Sequence, residues 1–116
     1  MRNIPVDTTA LTFVCVSPPR PKLVSQETGE IKVDKEGNTV FTVGLSAADA
    51  MGRVELINVS VSHDPDLTIG QVVQPVGLIG MAWEQNTGGR QRWGIAYRAK
   101  QLNAVTSAVA AAADAA

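Results

Sequence analysis

Four cations and two aromatic rings share one short stretch of the chain. From Gln85 to Val105 the sequence carries Arg90, Arg92, Arg98 and Lys100 and no acidic residue, whereas everything before it holds six Lys or Arg against ten Asp or Glu. The chain as a whole has a net charge of −1, so the positive charge is a local feature and not a bulk one. Trp93 and Tyr97 interleave with the cations. This is the chemistry of a surface that follows a phosphate backbone, releasing counterions, while ring faces stack on bases. Period-2 alternation puts Trp93, Ile95 and Tyr97 on one face of a strand and Arg92, Gly94, Ala96, Arg98 and Lys100 on the other, with Arg90 in the preceding turn. Gly94 and Ala96 are small enough to let a nucleic-acid strand come close. The plainer alternative is a solvated strand edge kept soluble by charge, with the rings packed in a core. Trp93 lies nearer the turn and is the ring expected to be exposed. Trp83, at the end of the partner strand, is expected to face Trp93 as a cross-strand pair.

No other segment offers competing chemistry. His63, Asp64 and Asp66 are three potential ligands within four residues, but there is no second histidine, and Ser62 to Asp66 reads as a Pro-Asp turn. Glu27, Glu30, Asp34 and Glu36 form a solvated acidic loop without the spacing of a calcium site. Gly88-Gly89-Arg90 is a hairpin turn, lacking the pattern of a phosphate-binding loop. Cys15 is the one cysteine, which excludes an intrachain disulfide and suits a reducing cytoplasm; its alternation with Leu11 and Phe13 makes it a small buried hydrophobe. No Ser-His-Asp, Cys-His or paired-carboxylate arrangement is supported. The expectation is a protein that is not an enzyme and needs no cofactor or metal.

The elements that must position the basic segment are strands. Thr8 to Val16 alternates as a first strand that the run Pro18-Pro19-Arg20-Pro21 should end, since proline cannot donate to a ladder. Lys22 to Val24 can resume it as an edge. Ser25 to Asn38 is a polar connection with turns at Gly29 and Gly37-Asn38. Thr39 to Leu45 is a second strand, with Phe41, Val43 and Leu45 on one face. Ser46 to Arg53 is a loop able to hold one helical turn. Val54 to Val61 is a third strand, its Ile57, Val59 and Val61 opposed to Val54, Leu56 and Asn58. Val72 to Trp83 is a long strand that Pro75, Gly77 and Gly80 should bend, and Arg92 to Leu102 is the last.

At 116 residues the chain fits a single domain able to fold without disulfides or a structural metal. Its N-terminus has no long apolar core, and no apolar run approaches a membrane span. A cytoplasmic protein with no membrane partner is expected. About five short, glycine-bent strands imply an all-β fold: a closed or partly open antiparallel barrel, with the OB-fold leading and an SH3-like barrel or small sandwich as alternatives. The barrel is assigned to residues 1–103, and residues 104–116 to an alanine-rich tail, either a short docked helix or disordered.

Several segments also carry a family likeness: Met1-Arg2-Asn3-Ile4-Pro5-Val6-Asp7-Thr8, the turn Asp34-Lys35-Glu36-Gly37-Asn38, the strand end Met81-Ala82-Trp83-Glu84 and the closing Trp93-Gly94-Ile95-Ala96-Tyr97-Arg98-Ala99. Together they resemble the small activators of replication, integration and excision carried by actinomycete integrative plasmids, over about Met1 to Leu102. The resemblance implies an accessory factor for the DNA transactions of a mobile element and brings no catalytic residues. The layout is also similar to that of OB-type single-stranded-DNA-binding proteins of filamentous phages, a likeness of architecture. The resulting expectation is a non-enzymatic accessory protein that binds single-stranded DNA through Arg90, Arg92, Trp93, Tyr97, Arg98 and Lys100, forms a homodimer and can work with a replication protein. A protein-interaction module that self-associates through strand edges, notably the apolar Val72 to Met81 stretch, is the alternative.

Overall fold

A computed structural model describes residues 3–25 and 27–105. All regular structure in them is β. The strands are β1 (Asn3–Pro5), β2 (Thr12–Pro21), β3 (Leu23–Ser25), β4 (Glu30–Ile31), β5 (Phe41–Ala48), β6 (Val54–Val61), β7 (Val72–Val76), β8 (Ile79–Thr87), β9 (Arg90–Arg98) and β10 (Gln101–Ala104). Eight of them form one sheet in the order β1-β8-β9-β6-β5-β2-β7-β10, while β3 and β4 pair separately. The main sheet curls into a half-barrel.

The expectation of about five strands is therefore corrected, and the reason lies at two corners. The long strands expected over Val72 to Trp83 and Arg92 to Leu102 are each broken, the first at Gly77-Leu78 and the second at Ala99-Lys100. The breaks face one another. Lys100 N donates to Val76 O at 2.9 Å, and a side chain on Gly77 (φ 66°) would meet Lys100 Cγ at 3.1 Å. Only glycine fits both that backbone conformation and that approach without strain. Residues 72–104 thus form one long ribbon bent at a corner. Its basal half, β7 and β10, pairs onto β2, and its other half, β8 and β9, carries the opposite end of the sheet. The eighth strand, β1, is three residues on β8.

β2 corrects a second expectation, because it runs on through its prolines to Pro21. The ladder with β5 slips between Cys15 and Ser17 and again between Ser17 and Arg20, so Pro18 and Pro19 fall where no residue is paired. Proline is tolerated at such irregularities because no ladder N–H is needed there. The stretch Ser46 to Arg53 forms no helical turn. β5 continues to Ala48, and Asp49 Oδ1 accepts from Met51 N and Arg53 N to close a turn into β6. β6 has the expected bounds and faces.

The core lies inside the curl: Phe13 and Cys15 from β2, Val43 and Leu45 from β5, Val59 and Val61 from β6, Val73 from β7, Leu102 from β10, and Leu67 and Leu78 from connections. Burying each such side chain contributes roughly 1.5–3 kcal/mol. Cys15 belongs wholly to this core, and burial pushes its thiol above the usual range. Ala104 still pairs with Val73, and Val105 N donates to Val72 O at 2.8 Å. β10 therefore runs to Ala104, and the alanine tail beyond Val105 lies outside the described residues. Among the described residues no helix is long and apolar enough to cross a membrane.

Candidate nucleic-acid interface

The basic segment forms the second strand of the β8–β9 hairpin, closed by Gly88 and Gly89, both at positive φ. β1 supports β8 only from Ile79 to Met81, and β6 meets β9 only at Val59↔Tyr97 and Ser60↔Arg98. From Ala82 to Trp93 the hairpin has no other sheet neighbour, and every residue there is exposed. It is a two-stranded arm projecting from the half-barrel.

Register sorts the arm's side chains by face, because residues directly opposite in an antiparallel pair point the same way. The pairs Thr87↔Arg90, Gln85↔Arg92, Trp83↔Gly94, Met81↔Ala96 and Ile79↔Arg98 share one face. The pairs Asn86↔Gln91, Glu84↔Trp93, Ala82↔Ile95 and Gly80↔Tyr97 share the other. Arg90, Arg92 and Arg98 therefore all lie on the first face, and no acid accompanies them. The arm's only carboxylate, Glu84, is on the second face, where Gln91 Nε2 donates to it.

This register overturns the expected pairing of Trp83 with Trp93. Trp83 lies across Gly94, where an added Cβ would stand 2.7 Å from its Cζ2. Trp83 thus lies on the arginine face, opposite Trp93, and the residue is 45% exposed. The sequence signal was present in Gly94: a glycine opposite a tryptophan leaves room for the ring to lie flat on the strand. Trp93 is 76% exposed, the most open ring of the arm. Tyr97 is half-buried, packs against the core and touches Gly80, so its position is first a structural one.

The six expected residues are not gathered at one point. Arg92 and Arg98 are about 20 Å apart along the strand. Lys100 has left the strand for the corner beside Gly77, where it lines a pocket of about 270 Å³ with Arg98 and Ser62. The cations make a track, not a cluster.

At the base of the arm the track meets two lysines that the sequence reading left out. Lys22 and Lys32 line a pocket of about 240 Å³ with Ser60, Ser62 and Arg98. Their backbones are tied in a circuit: Lys22 N donates to Val40 O, Val40 N to Lys32 O, and Lys32 N to Lys22 O, all at 2.8–2.9 Å. Lys22 Nζ donates to Ser60 Oγ at 3.4 Å. Burial, and after it the charge of Lys32, holds Lys22 below the usual lysine range. Asp34 also lines the pocket. Its carboxylate accepts from the N–H groups of Asn38 (2.8 Å) and Glu36 (3.0 Å) and so closes its own turn. These residues are far apart in sequence, and only the fold brings them together.

The remaining candidates behave as turns. Asp64 Oδ1 accepts from Asp66 N at 2.9 Å, and Asp66 adopts φ 53°. Among the described residues no group of three or more His, Cys, Asp or Glu is placed to hold a metal ion. The apolar Val72 to Met81 stretch does not form a free edge. β7 is paired by β10 from Val73 to Val76 and by β2 at Val72 and Val73, and Ile79 to Met81 by β1 and β9. Comparison with protein-family models and with curated proteins finds no match to this sequence.

Proposed function

We propose that this protein is a non-enzymatic, DNA-associated accessory factor that binds single-stranded nucleic acid along the arginine face of the β8–β9 arm. The observation that supports this reading is the segregation on the arm. Arg90, Arg92 and Arg98 share a face with the exposed Trp83 indole, and the single carboxylate is turned to the other side. Cations along a strand track a phosphate backbone, and a flat ring between them offers a base a stacking surface. Gly94 gives the Trp83 ring room to lie across the strand, so that face presents the indole and not an open groove. Single strands are favoured because stacking needs bases free of a partner.

The curled, corner-bent sheet suits an OB-like barrel, a layout that serves many such proteins; the likeness to plasmid-borne activators of replication and excision supplies the setting, a mobile element in the cytoplasm. The experiment is fluorescence anisotropy of labelled single- and double-stranded oligonucleotides at two salt concentrations. Salt-sensitive binding that prefers the single strand is expected. No binding to either at tens of micromolar would refute the reading.

A second reading, self-association into a homodimer, is favoured by a different observation. β6 and β9 pair only at their ends and diverge, leaving Val54 and Leu56 exposed on β6 and Trp93 and Ile95 exposed on β9. Both unpaired edges carry apolar side chains, the arrangement that accepts an added strand. Sedimentation equilibrium checks it. A monomer at micromolar concentration would exclude it.

A further inference from the structure

We infer that the pocket formed by Lys22, Lys32, Ser60 and Arg98 at the base of the arm is a binding site for one phosphate group. The site stands on its own geometry; its identification as the anchor for a backbone phosphate of a bound strand rests on the nucleic-acid reading above.

Two lysines on a surface ordinarily swing apart. Here the direct hydrogen bond from Lys32 N to Lys22 O, at 2.8 Å, and the bonds of both to Val40 hold the two backbones side by side, and Lys22 Nζ is tied to Ser60 Oγ. Arg98 reaches the same pocket from β9, where it is paired to Ser60 of β6. Three cations from three separate parts of the chain thus line one pocket, whose walls also include Val40, Val61, Met81 and Tyr97, against a single carboxylate, Asp34, whose Oδ1 closes its own turn. Ser60 adds a hydroxyl already in the lysine's reach. Like charges held together with few counter-charges are unfavourable in the empty site, and a bound anion relieves the repulsion. Lys22 responds as such a group should, since burial and Lys32 both press its ammonium toward the neutral form.

The ligand that fits is a phosphate group. Lysine ammonium groups serve it as point charges, arginine offers a planar fork of donors, and a serine hydroxyl supplies a neutral donor. The pocket's 240 Å³ admits a compact anion. Arg98 belongs both to this pocket and to the arginine face, so a strand anchored here would continue outward along Arg92 and Trp83.

The test is a titration of the full chain with sodium phosphate, against sodium chloride at matched ionic strength, followed by 1H–15N NMR. Saturable shifts at Lys22, Lys32 and Ser60 are expected, and they should vanish in Lys22→Gln. Lys32→Gln, at an exposed side chain, should weaken them several-fold and keeps the test valid if the first variant unfolds. In the same variants the salt slope of oligonucleotide binding should fall by about 0.7, the contribution of one phosphate on a single strand. Saturable phosphate shifts without any oligonucleotide binding would uphold the pocket and refute the reading of the arm. Shifts no greater with phosphate than with chloride would overturn the pocket, whatever the arm binds. An unchanged salt slope in both variants would overturn its role as the strand's anchor.

Discussion

The half-barrel body and the β8–β9 arm are parts of the same sheet, yet they use their residues in opposite ways. In the body, β2, β5, β6, β7 and β10 each turn apolar side chains inward, and Leu45, Val43, Val59 and Cys15 have no exposed surface at all. From Ala82 to Trp93 the arm buries nothing. An isolated two-stranded ribbon is marginal in water, so the arm borrows its order from the corner at Gly77 and from Tyr97, Ala99 and Leu78, which root it in the core. Stability resides in the body. The arm contributes exposed chemistry: Trp93 is open, and Trp83 packs across Gly94 within the arm itself.

That contrast can be broken by substitution in each region. The largest effect is expected in the body: Leu45→Ala should cost about 2–5 kcal/mol, read as a lower midpoint in urea. Trp93→Ala, at the open end of the arm, should leave that midpoint almost unmoved. Equal losses from the two variants would show that the arm is not energetically separate.

Within the arm the comparison becomes one of faces. Trp83→Ala should weaken oligonucleotide binding by about 1–3 kcal/mol, roughly 5- to 150-fold, whereas Trp93→Ala should change it far less. Gly94→Ala offers a subtler form of the same test. Its new Cβ would stand 2.7 Å from Trp83 Cζ2, so the indole must leave the strand, and its fluorescence should shift while the fold holds. Equal sensitivity to loss of either tryptophan would contradict the one-sided arm.

The smallest effect concerns acid. The Asp34 carboxyl is held below the ordinary aspartate range, chiefly by the Asn38 N–H, with Ser62, the Asn38 side chain and the Glu36 N–H adding to it and burial opposing. A lowered folded value means that the contribution is complete above the unfolded value of about 3.9 and is lost as pH falls through the folded one. The amides of Glu36 and Asn38 should therefore stay protected from exchange down to about pH 4 and lose protection below it. Asp34→Asn should remove that acid step.

What the sequence disclosed follows the range of each interaction. β6 was legible to the residue, because Val54 to Val61 alternates without a break and meets β5 over its full length. The hairpin turn at Gly88-Gly89 and the basic character of β9 were legible for the same local reason. The corner was half legible: Pro75, Gly77 and Gly80 announced a bend, but only the opposing break at Lys100 turns a bend into two strands on opposite parts of the sheet. The continuation of β2 through Pro18 and Pro19 depended on slips in the ladder with β5, which no property of β2 alone records. Trp83 was assigned to the wrong face because facing depends on register across the turn, where one residue of offset exchanges the faces. Lys22 and Lys32 were missed because their partners, Ser60 and Arg98, come from distant strands.

The central claim is that the arginine face of the arm, and not its other face, receives a single strand. The most direct measurement is the affinity of the Arg92→Glu/Arg98→Glu variant for a labelled single-stranded oligonucleotide, by fluorescence anisotropy at low salt, beside Gln91→Glu on the opposite face. The arm reading predicts at least a tenfold loss (about 1.4 kcal/mol) and a shallower salt dependence in the double variant, with the thermal midpoint kept and Gln91→Glu close to the parent. Unchanged affinity in the double variant would contradict it.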